Sequence, residues 1–219
     1  MIRLENLTKS YRLPKGGRHY VFQNLDFTLP EGQNIGILGR NGAGKSTLMR
    51  IIAGIDFPDS GRIVTDKSIS WPIGLVGGLQ GTLSGRENVR FVCRINGLTR
   101  EATREKEDFV EGFAEIGRYF DMPIKSYSSG MRSRVTFGLS LAFDFDYYLI
   151  DEVGAVGDKR FKEKSEALFE AKKNSANLIM VNHNLKELRE RCHVFLVLHS
   201  GKFSLFNDAN DAIGFYGSL

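Results

Sequence analysis

Two cysteines in 219 residues, Cys93 and Cys192, stand in separate segments. The pair makes neither a disulfide framework nor a metal-ligand pattern, so the fold must rest on an apolar core, and a reducing compartment is expected. Long apolar runs are lacking too. The best candidate, Val194-Phe195-Leu196-Val197-Leu198, falls far short of the ~18–20 residues a membrane helix needs. Met1-Ile2-Arg3-Leu4-Glu5 has no signal-peptide profile, so any role at a membrane calls for another polypeptide to cross the bilayer. Charge of one sign is nowhere concentrated. Thirty basic and 26 acidic residues leave a net +4, and their interspersion describes a solvated surface rather than a nucleic-acid face. There is no internal repeat and no low-complexity tail. Hydrophobic residues make up 42% of the chain, enough for one large α/β domain or one domain with a small insertion.

Against these absences one stretch stands out. Gly39-Arg40-Asn41-Gly42-Ala43-Gly44-Lys45-Ser46-Thr47 meets every fixed position of the phosphate-loop pattern G-x-x-x-x-G-K-[ST]. Ile35 to Leu38 before it reads as a short buried strand. Thr47 to Ala53 after it reads as a helix that Gly54 can end. Strand, glycine-rich turn and helix N-terminus make a cradle for phosphate, with backbone N–H groups pointing inward and the helix dipole adding partial positive charge. Gly42 and Gly44 are expected where a Cβ would intrude. Lys45 is placed to reach the β- and γ-phosphates, and the Ser46 hydroxyl to ligate Mg²⁺.

The rest of the chain falls around that stretch. Ile2 to Leu7 and Val21 to Leu29 alternate as strands, separated by a loop from Tyr11 to Tyr20. Arg62 to Thr65 is a further strand. This early part reads as antiparallel strands beside a parallel nucleotide-binding core. Residues 68 to 83 are glycine-rich, a short strand and then a loop. Ser84-Gly85-Arg86-Glu87 is a capping box opening a helix through Asn88, Phe91, Val92 and Ile95. Thr99 caps the next helix, with Phe109, Val110, Phe113 and Ile116 on one face. Residues from about 84 to 140 thus read as a helical insertion. Alternation then resumes: strand Tyr147 to Ile150, helix Lys159 to Lys173, strand Leu178 to Val181, helix Leu185 to Arg191, strand Val194 to Leu198, strand Phe203 to Phe206, and a last helix from Asp208 to Tyr216.

The strand Tyr147 to Ile150 ends in two carboxylates. The first past such a strand holds Mg²⁺ in a phosphate-loop protein, the role expected of Asp151. Glu152 is one step further on and can polarise an attacking water, help typically worth ~10²–10⁴-fold. Tyr127-Ser128-Ser129-Gly130-Met131 precedes an apolar helical face of Val135, Leu139 and Ala142, and small residues at a helix start make a second anion site. Between Gly130 and Asp151 there is room for one helix and one strand, with Asp144 and Asp146 expected in the turn before that strand.

The order of these features, with a histidine at the end of the strand Leu178 to Val181, resembles the ATP-binding cassette family over about residues 1 to 206. The resemblance implies a P-loop NTPase (RecA-like) α/β core with an antiparallel β subdomain and an inserted helical subdomain. It implies ATP and Mg²⁺ as ligands. By it Tyr11 resembles the aromatic that stacks on adenine, although Tyr20 competes for that place. Gly39 to Thr47 resembles the Walker A loop. Tyr127 to Met131 is similar to a variant of the signature Leu-Ser-Gly-Gly-Gln, in which Ser128 and Gly130 survive. Asp151 and Glu152 resemble the close of Walker B, Gly154 to Asp158 the D-loop, and His183 the histidine that senses the γ-phosphate. Gln80 is either the Q-loop glutamine that reaches the metal or a residue of altered role, since it lies unusually close to the following helix. The implied mechanism is a head-to-tail homodimer in which each ATP lies between one chain's phosphate loop and the other's Ser128 and Gly130. Closure and reopening then drive an integral membrane permease.

Tyr-Ser-Ser-Gly-Met, Asp-Glu-Val-Gly-Ala-Val-Gly-Asp and Leu-Ser-Gly-Arg-Glu-Asn together resemble the bacterial polysaccharide-export branch. Ser70-Trp71-Pro72-Ile73-Gly74 with Gly77 to Gly81 is most similar to its capsular members. The expectation is an ATPase at the cytoplasmic face of the inner membrane, a peripheral protein whose polysaccharide cargo passes through the permease and which binds no nucleic acid. With its last residue at Leu219, the chain is not expected to carry an added carbohydrate-binding domain. The alternatives are the ATPase of an O-antigen or teichoic acid exporter, an importer's ATPase, or a soluble cassette ATPase. The last usually carries two fused cassettes or a long coiled coil, and the stretch from Lys45 to Ser128 has no heptad run.

Overall fold

The structure is a computed structural model and describes residues 1–73, 79–151, 159–173, 176–182 and 184–219. The chain divides into two compact units.

The first unit holds two sheets. In one, β1 (Ile2–Arg12) lies between β2 (Arg18–Leu29) and β4 (Ser60–Thr65), antiparallel to both. The pairs Tyr11↔His19 and Arg12↔Arg18 carry the ladder further than the sequence pattern suggests. The expected loop from Tyr11 to Tyr20 therefore shrinks to a short turn closed by Leu13 N–H to Gly17 O (3.1 Å) and Gly16 N–H to Leu13 O (3.0 Å). The strand ends had been masked by polar residues, which the exposed tip of a hairpin accepts without cost to alternation.

The other sheet has the order β5 (Tyr147–Asp151), β6 (Asn177–Val181), β3 (Ile35–Leu38), β7 (Val194–His199) and β8 (Lys202–Phe206). The first four are parallel and β8 is antiparallel. The parallel strands are continuous apolar runs, as strands buried on both faces must be. Helix α1 (Lys45–Ile52) packs with both sheets in one core: Leu48, Met49, Ile51 and Ile52 join Leu4, Leu7 and Phe22 from the antiparallel sheet and Ile37, Leu149, Val181 and Leu196 from the parallel one. Asn34, buried just before β3, donates from Nδ2 to Arg191 O (2.9 Å) and accepts at Oδ1 from Leu178 N–H (3.0 Å), tying the start of β6 to the turn before β7. Asp146 lies in the turn before β5 and accepts from the Ser68 amide (2.7 Å). Helices α6 (Leu185–Arg191) and α7 (Ala209–Gly217) complete the unit.

The second unit is helical. Helix α2 (Gly85–Ile95) starts at the expected capping box, with Ser84 Oγ accepting from Glu87 N–H (3.1 Å) and Glu87 Oε2 accepting from Ser84 N–H (2.8 Å). Only one side of it is buried. Asn88, Val89 and Cys93 are buried, while Phe91 and Ile95 are exposed. The choice follows from Asn88, whose amide brackets the preceding backbone and so belongs inside (see below). Helix α3 (Arg100–Ala114) is capped by Thr99 as expected and buries Val110 and Phe113. Helix α4 (Ser129–Ala142) buries every residue from Val135 to Ala142. Helix α5 (Lys159–Lys173) belongs to this unit and not to the sheets that precede and follow it in sequence. Phe161 packs edge-on against Phe113 (5.1 Å between centroids), and Lys164 Nζ donates to Gly112 O (3.0 Å) and Glu115 Oε1 (2.7 Å).

Both cysteines are buried and free. Burial pushes the Cys192 thiol up to about 12 and raises Cys93 as well, so neither is a nucleophile near neutral pH.

Candidate nucleotide-binding site

The phosphate loop leaves the carboxyl end of β3 and turns directly into α1, whose first helical residue is Lys45 and whose N-cap is Gly44. Ala43 N–H to Arg40 O (3.1 Å) closes the turn, and Leu48 N–H to Gly44 O (2.9 Å) opens the helix ladder. Lys45 is buried. Its ammonium donates to the loop's own carbonyls, Gly39 O at 2.7 Å and Arg40 O at 3.2 Å. The lysine thus lies along the cradle it is expected to serve, with its charge delivered to the loop mouth.

The two glycines have different surroundings. At Gly44 a Cβ would intrude as expected, 2.2 Å from Val21 Cγ1, and φ is +101°. At Gly42 a Cβ would meet no protein atom within 4 Å, and within the chain it is the backbone angle, φ +82°, that selects glycine. Gly44→Ala is therefore expected to cost both strain and a displaced Val21, about 1–3 kcal/mol from the backbone angle alone. Gly42→Ala should cost only the angle. Chemical unfolding of the two variants checks this: Gly44→Ala must have the lower midpoint, and equal midpoints would remove the Val21 contact as the cause.

Asp151 closes β5 at the level of Val181 in β6, which pairs with Ile37 in β3. Two strand spacings separate it from β3, about 10 Å across the sheet. The carboxylate and the phosphate loop therefore stand at the same carboxyl end of the sheet, where open α/β sheets bind ligands. Ser46 is exposed in the first turn of α1. A hydroxyl and a carboxylate are hard oxygen donors of the kind Mg²⁺ accepts, alongside substrate phosphates rather than in an all-protein cage. Among the described residues no cluster of three or more His, Cys, Asp or Glu could hold a metal by itself. The donor set fits Mg²⁺ bound with a nucleotide.

Tyr11 and Tyr20 have different surroundings. The Tyr11 hydroxyl donates to Asp56 Oδ2 (3.2 Å) and so accepts from Thr47 Oγ1 (3.4 Å) in α1. Lys9 stands behind it, its ammonium 5.2 Å from the Tyr11 ring centroid and donating to Asp56 Oδ1 (2.7 Å) and Phe57 O (2.6 Å). Burial disfavours the Asp56 carboxylate, but Lys9, the Phe57 amide and Tyr11 outweigh it and hold its pKa below the usual value. This network was not legible in the sequence, because Lys9 and Asp56 belong to segments far apart in the chain and neither sits in a motif. Tyr20 lines a cleft of about 420 Å³ together with His19, Val21, Gly42, Ala43 and Lys202. Arg40 donates to Leu219 O (3.0 Å), and Asn41 is exposed.

The remaining expected residues fall elsewhere. Ser128 and Gly130 lie in the second unit, where Ser128 is the N-cap of α4 and accepts from Met131 N–H (3.2 Å). Gln80 also lies there, with an exposed side chain and a backbone held by Asn88. Glu152, His183 and the segment Gly154 to Asp158 lie outside the described residues.

A phosphate loop on β3, a parallel sheet with a carboxylate ending β5, an antiparallel sheet and a helical unit define a nucleotide-binding P-loop NTPase. The model of the ABC transporter family matches residues 22–155, and the chain belongs to that family. Its fold is that of the cassette ATPases, and the activity that goes with it is ATP hydrolysis. Over 217 residues the chain is 57% identical to a polysialic acid transport ATP-binding protein of Escherichia coli, covering 99% of this chain and 98% of the other. It is 43% identical to a capsule polysaccharide export ATP-binding protein of Neisseria meningitidis serogroup B, with both chains covered completely. A dimeric ATP-binding cassette in a post-hydrolysis state, bound to ADP and Pi, superposes with a TM-score of 0.75 at 22% identity, covering 94% of this chain and 98% of that one.

Proposed function

We propose that this chain is the ATP-hydrolysing subunit of an exporter that moves capsular polysaccharide across the bacterial inner membrane. The observation that carries the reading is the end-to-end likeness to two export ATP-binding proteins, 57% and 43% identical over essentially whole chains. The phosphate loop, Lys45 and Asp151 support it, since they are the groups that such chemistry needs.

In the proposed cycle ATP enters with its phosphates on the loop from Gly39 to Thr47. Lys45 leaves its carbonyl partners for the β- and γ-phosphates, and backbone N–H groups at the start of α1 hold the rest. Ser46 and Asp151, with Gln80 as the further oxygen donor that the family resemblance implies, would hold Mg²⁺, which would supply positive charge at the phosphoryl oxygens. Glu152 takes the proton of the attacking water and His183 contacts the γ-phosphate. Two chains pair head to tail, so that Ser128 and Gly130 of one chain serve the other's nucleotide, and hydrolysis waits on closure. No helix among the described residues is long and apolar enough to cross a membrane. In the proposed assembly the work is delivered to a separate permease, with the chain peripheral at the cytoplasmic face. The exposed Phe91 and Ile95 on α2 are the surface proposed to meet it.

Replacing the chromosomal copy by Lys45→Ala tests the reading. Surface polysaccharide should disappear and the same polymer should accumulate inside the cell. Normal surface glycan with no internal polymer would remove the export reading.

The place of the adenine is tested separately. Tyr20→Ala and Tyr11→Ala are expected to weaken ATP while leaving tripolyphosphate binding within about twofold only for the residue that stacks, because stacking is worth ~1–3 kcal/mol per base. The tethering of Tyr11 to Thr47 predicts that Tyr11→Ala weakens both ligands, and the place of Tyr20 on the cleft beside Gly42 and Ala43 favours it as the base contact. Calorimetry with the two ligands decides it; a Tyr11→Ala loss confined to ATP would restore Tyr11 as the base contact.

A further inference from the structure

Tyr127 occupies the position where the resembled signature has leucine, and its hydroxyl has a use that a leucine could not supply. The side chain is 5% exposed. Its Oη accepts from Gly85 N–H at 3.1 Å and donates to Phe120 O at 3.3 Å. Gly85 opens α2, so its amide is one of the four that a helix leaves without an internal partner. A Cβ at Gly85 would stand 2.7 Å from Tyr127 Oη and 2.8 Å from Phe120 Cδ2, so only glycine admits this approach. Burial raises the Tyr127 pKa, with the Gly85 amide opposing, so the hydroxyl stays protonated and can both give and accept.

The bond does not stand alone. Ile124 N–H donates to Leu83 O (2.9 Å) and Lys125 N–H to Gly81 O (2.9 Å), while Ser84 and Pro123 form an antiparallel bridge. Gln80 is fastened to the same block. Its N–H donates to Asn88 Oδ1 (2.7 Å), and Asn88 Nδ2 donates to Gln80 O (3.1 Å). Arg86 clamps the outer side, donating to Asp121 (2.7 Å) and Glu111 (2.8 Å) across the Phe120 ring. Residues 80–88 and 120–127 are thereby stitched into one piece, and the next residue is Ser128.

We propose that Tyr127 is a positioning residue: its hydroxyl locks the start of α2, and with it Gln80, to the residue that carries Ser128, so that the two ATP-facing residues of this unit move together. The inference rests on the reading of Ser128 as the residue that serves the partner's nucleotide.

Tyr127→Phe keeps the ring and removes the bond. In the purified full chain kcat is expected to fall by about ten- to a hundredfold, the scale of an ångström-sized misplacement, with KM for ATP within about twofold. The Gly85 and Met131 amides, the second capped by Ser128, should both exchange faster with solvent. A tyrosine that only fills space would leave kcat and the Met131 amide unchanged. Ser128→Ala run beside it separates the two layers. If Ser128→Ala is impaired while Tyr127→Phe matches the unaltered chain, positioning is overturned and the Ser128 reading stands. If Ser128→Ala is itself fully active, the Ser128 reading falls and the proposal falls with it. Should Tyr127→Phe fail to fold, the unaltered chain still decides: Gly85 and Met131 must then open as one unit, and protection factors differing by more than about tenfold would overturn the linkage.

Discussion

Glu152→Gln should bind ATP with nearly unaltered affinity and hydrolyse it about 10²–10⁴ times more slowly, the usual worth of a positioned general base. The substitution keeps the size of the side chain and removes the proposed proton acceptor. Binding should survive because the loop around Lys45, the proposed seat of the phosphates, emerges from a different strand of the sheet. With hydrolysis blocked and closure favoured by ATP, the chain should accumulate as a nucleotide-bound dimer. Single-turnover hydrolysis measures the first effect and gel filtration with ATP and Mg²⁺ the second. A rate within threefold of the unaltered chain would transfer the base to another residue. A slow variant that stayed monomeric at saturating ATP would instead show that pairing needs the permease.

The second large effect is at Lys45. Lys45→Ala removes a charge-assisted contact to phosphate of about 1.5–3 kcal/mol, which predicts ATP binding weakened by at least ten- to a hundredfold. The structure adds a second consequence. The ammonium braces the loop through Gly39 O and Arg40 O, so alanine also leaves those carbonyls without that donor. Lys45→Met, which keeps the aliphatic stem, should lose ATP as fully as alanine but disturb the packing under the loop less. Calorimetry with ATP gives the affinities and thermal unfolding without ligand gives the bracing. Unaltered ATP affinity in either variant would overturn the phosphate-loop assignment.

Much of the site was legible because its residues are contiguous. Gly39 to Thr47 declares its strand, turn and helix within one short window, and the fold places them as read. Local capping was equally legible: Ser84 with Glu87, and Thr99, both cap as their spacing requires. Legibility failed where a residue's partner is remote. The turn between β1 and β2 is shorter than the sequence pattern suggests because the tip of a hairpin is polar on both sides. The helix through Asn88, Phe91, Val92 and Ile95 was legible but not which side it buries: α2 turns Asn88 inward, where its amide holds the backbone at Gln80, and leaves Phe91 and Ile95 exposed. Nor could any pattern join Lys9 to Asp56, or Tyr127 to Gly85.

The sequence by itself determined the family, the nucleotide chemistry and the order of strands and helices, since motif spacing and hydrophobic period are local properties of the chain. Only the tertiary structure decided that Gly44 is required by Val21, that Tyr11 is tethered to Thr47 while Tyr20 lines the cleft, that α5 joins the helical unit, and that Tyr127 ties α2 to Ser128. Each of these depends on a distance between segments separated in sequence. Such distances are set by how buried surfaces pack and by which remote donor satisfies a buried acceptor.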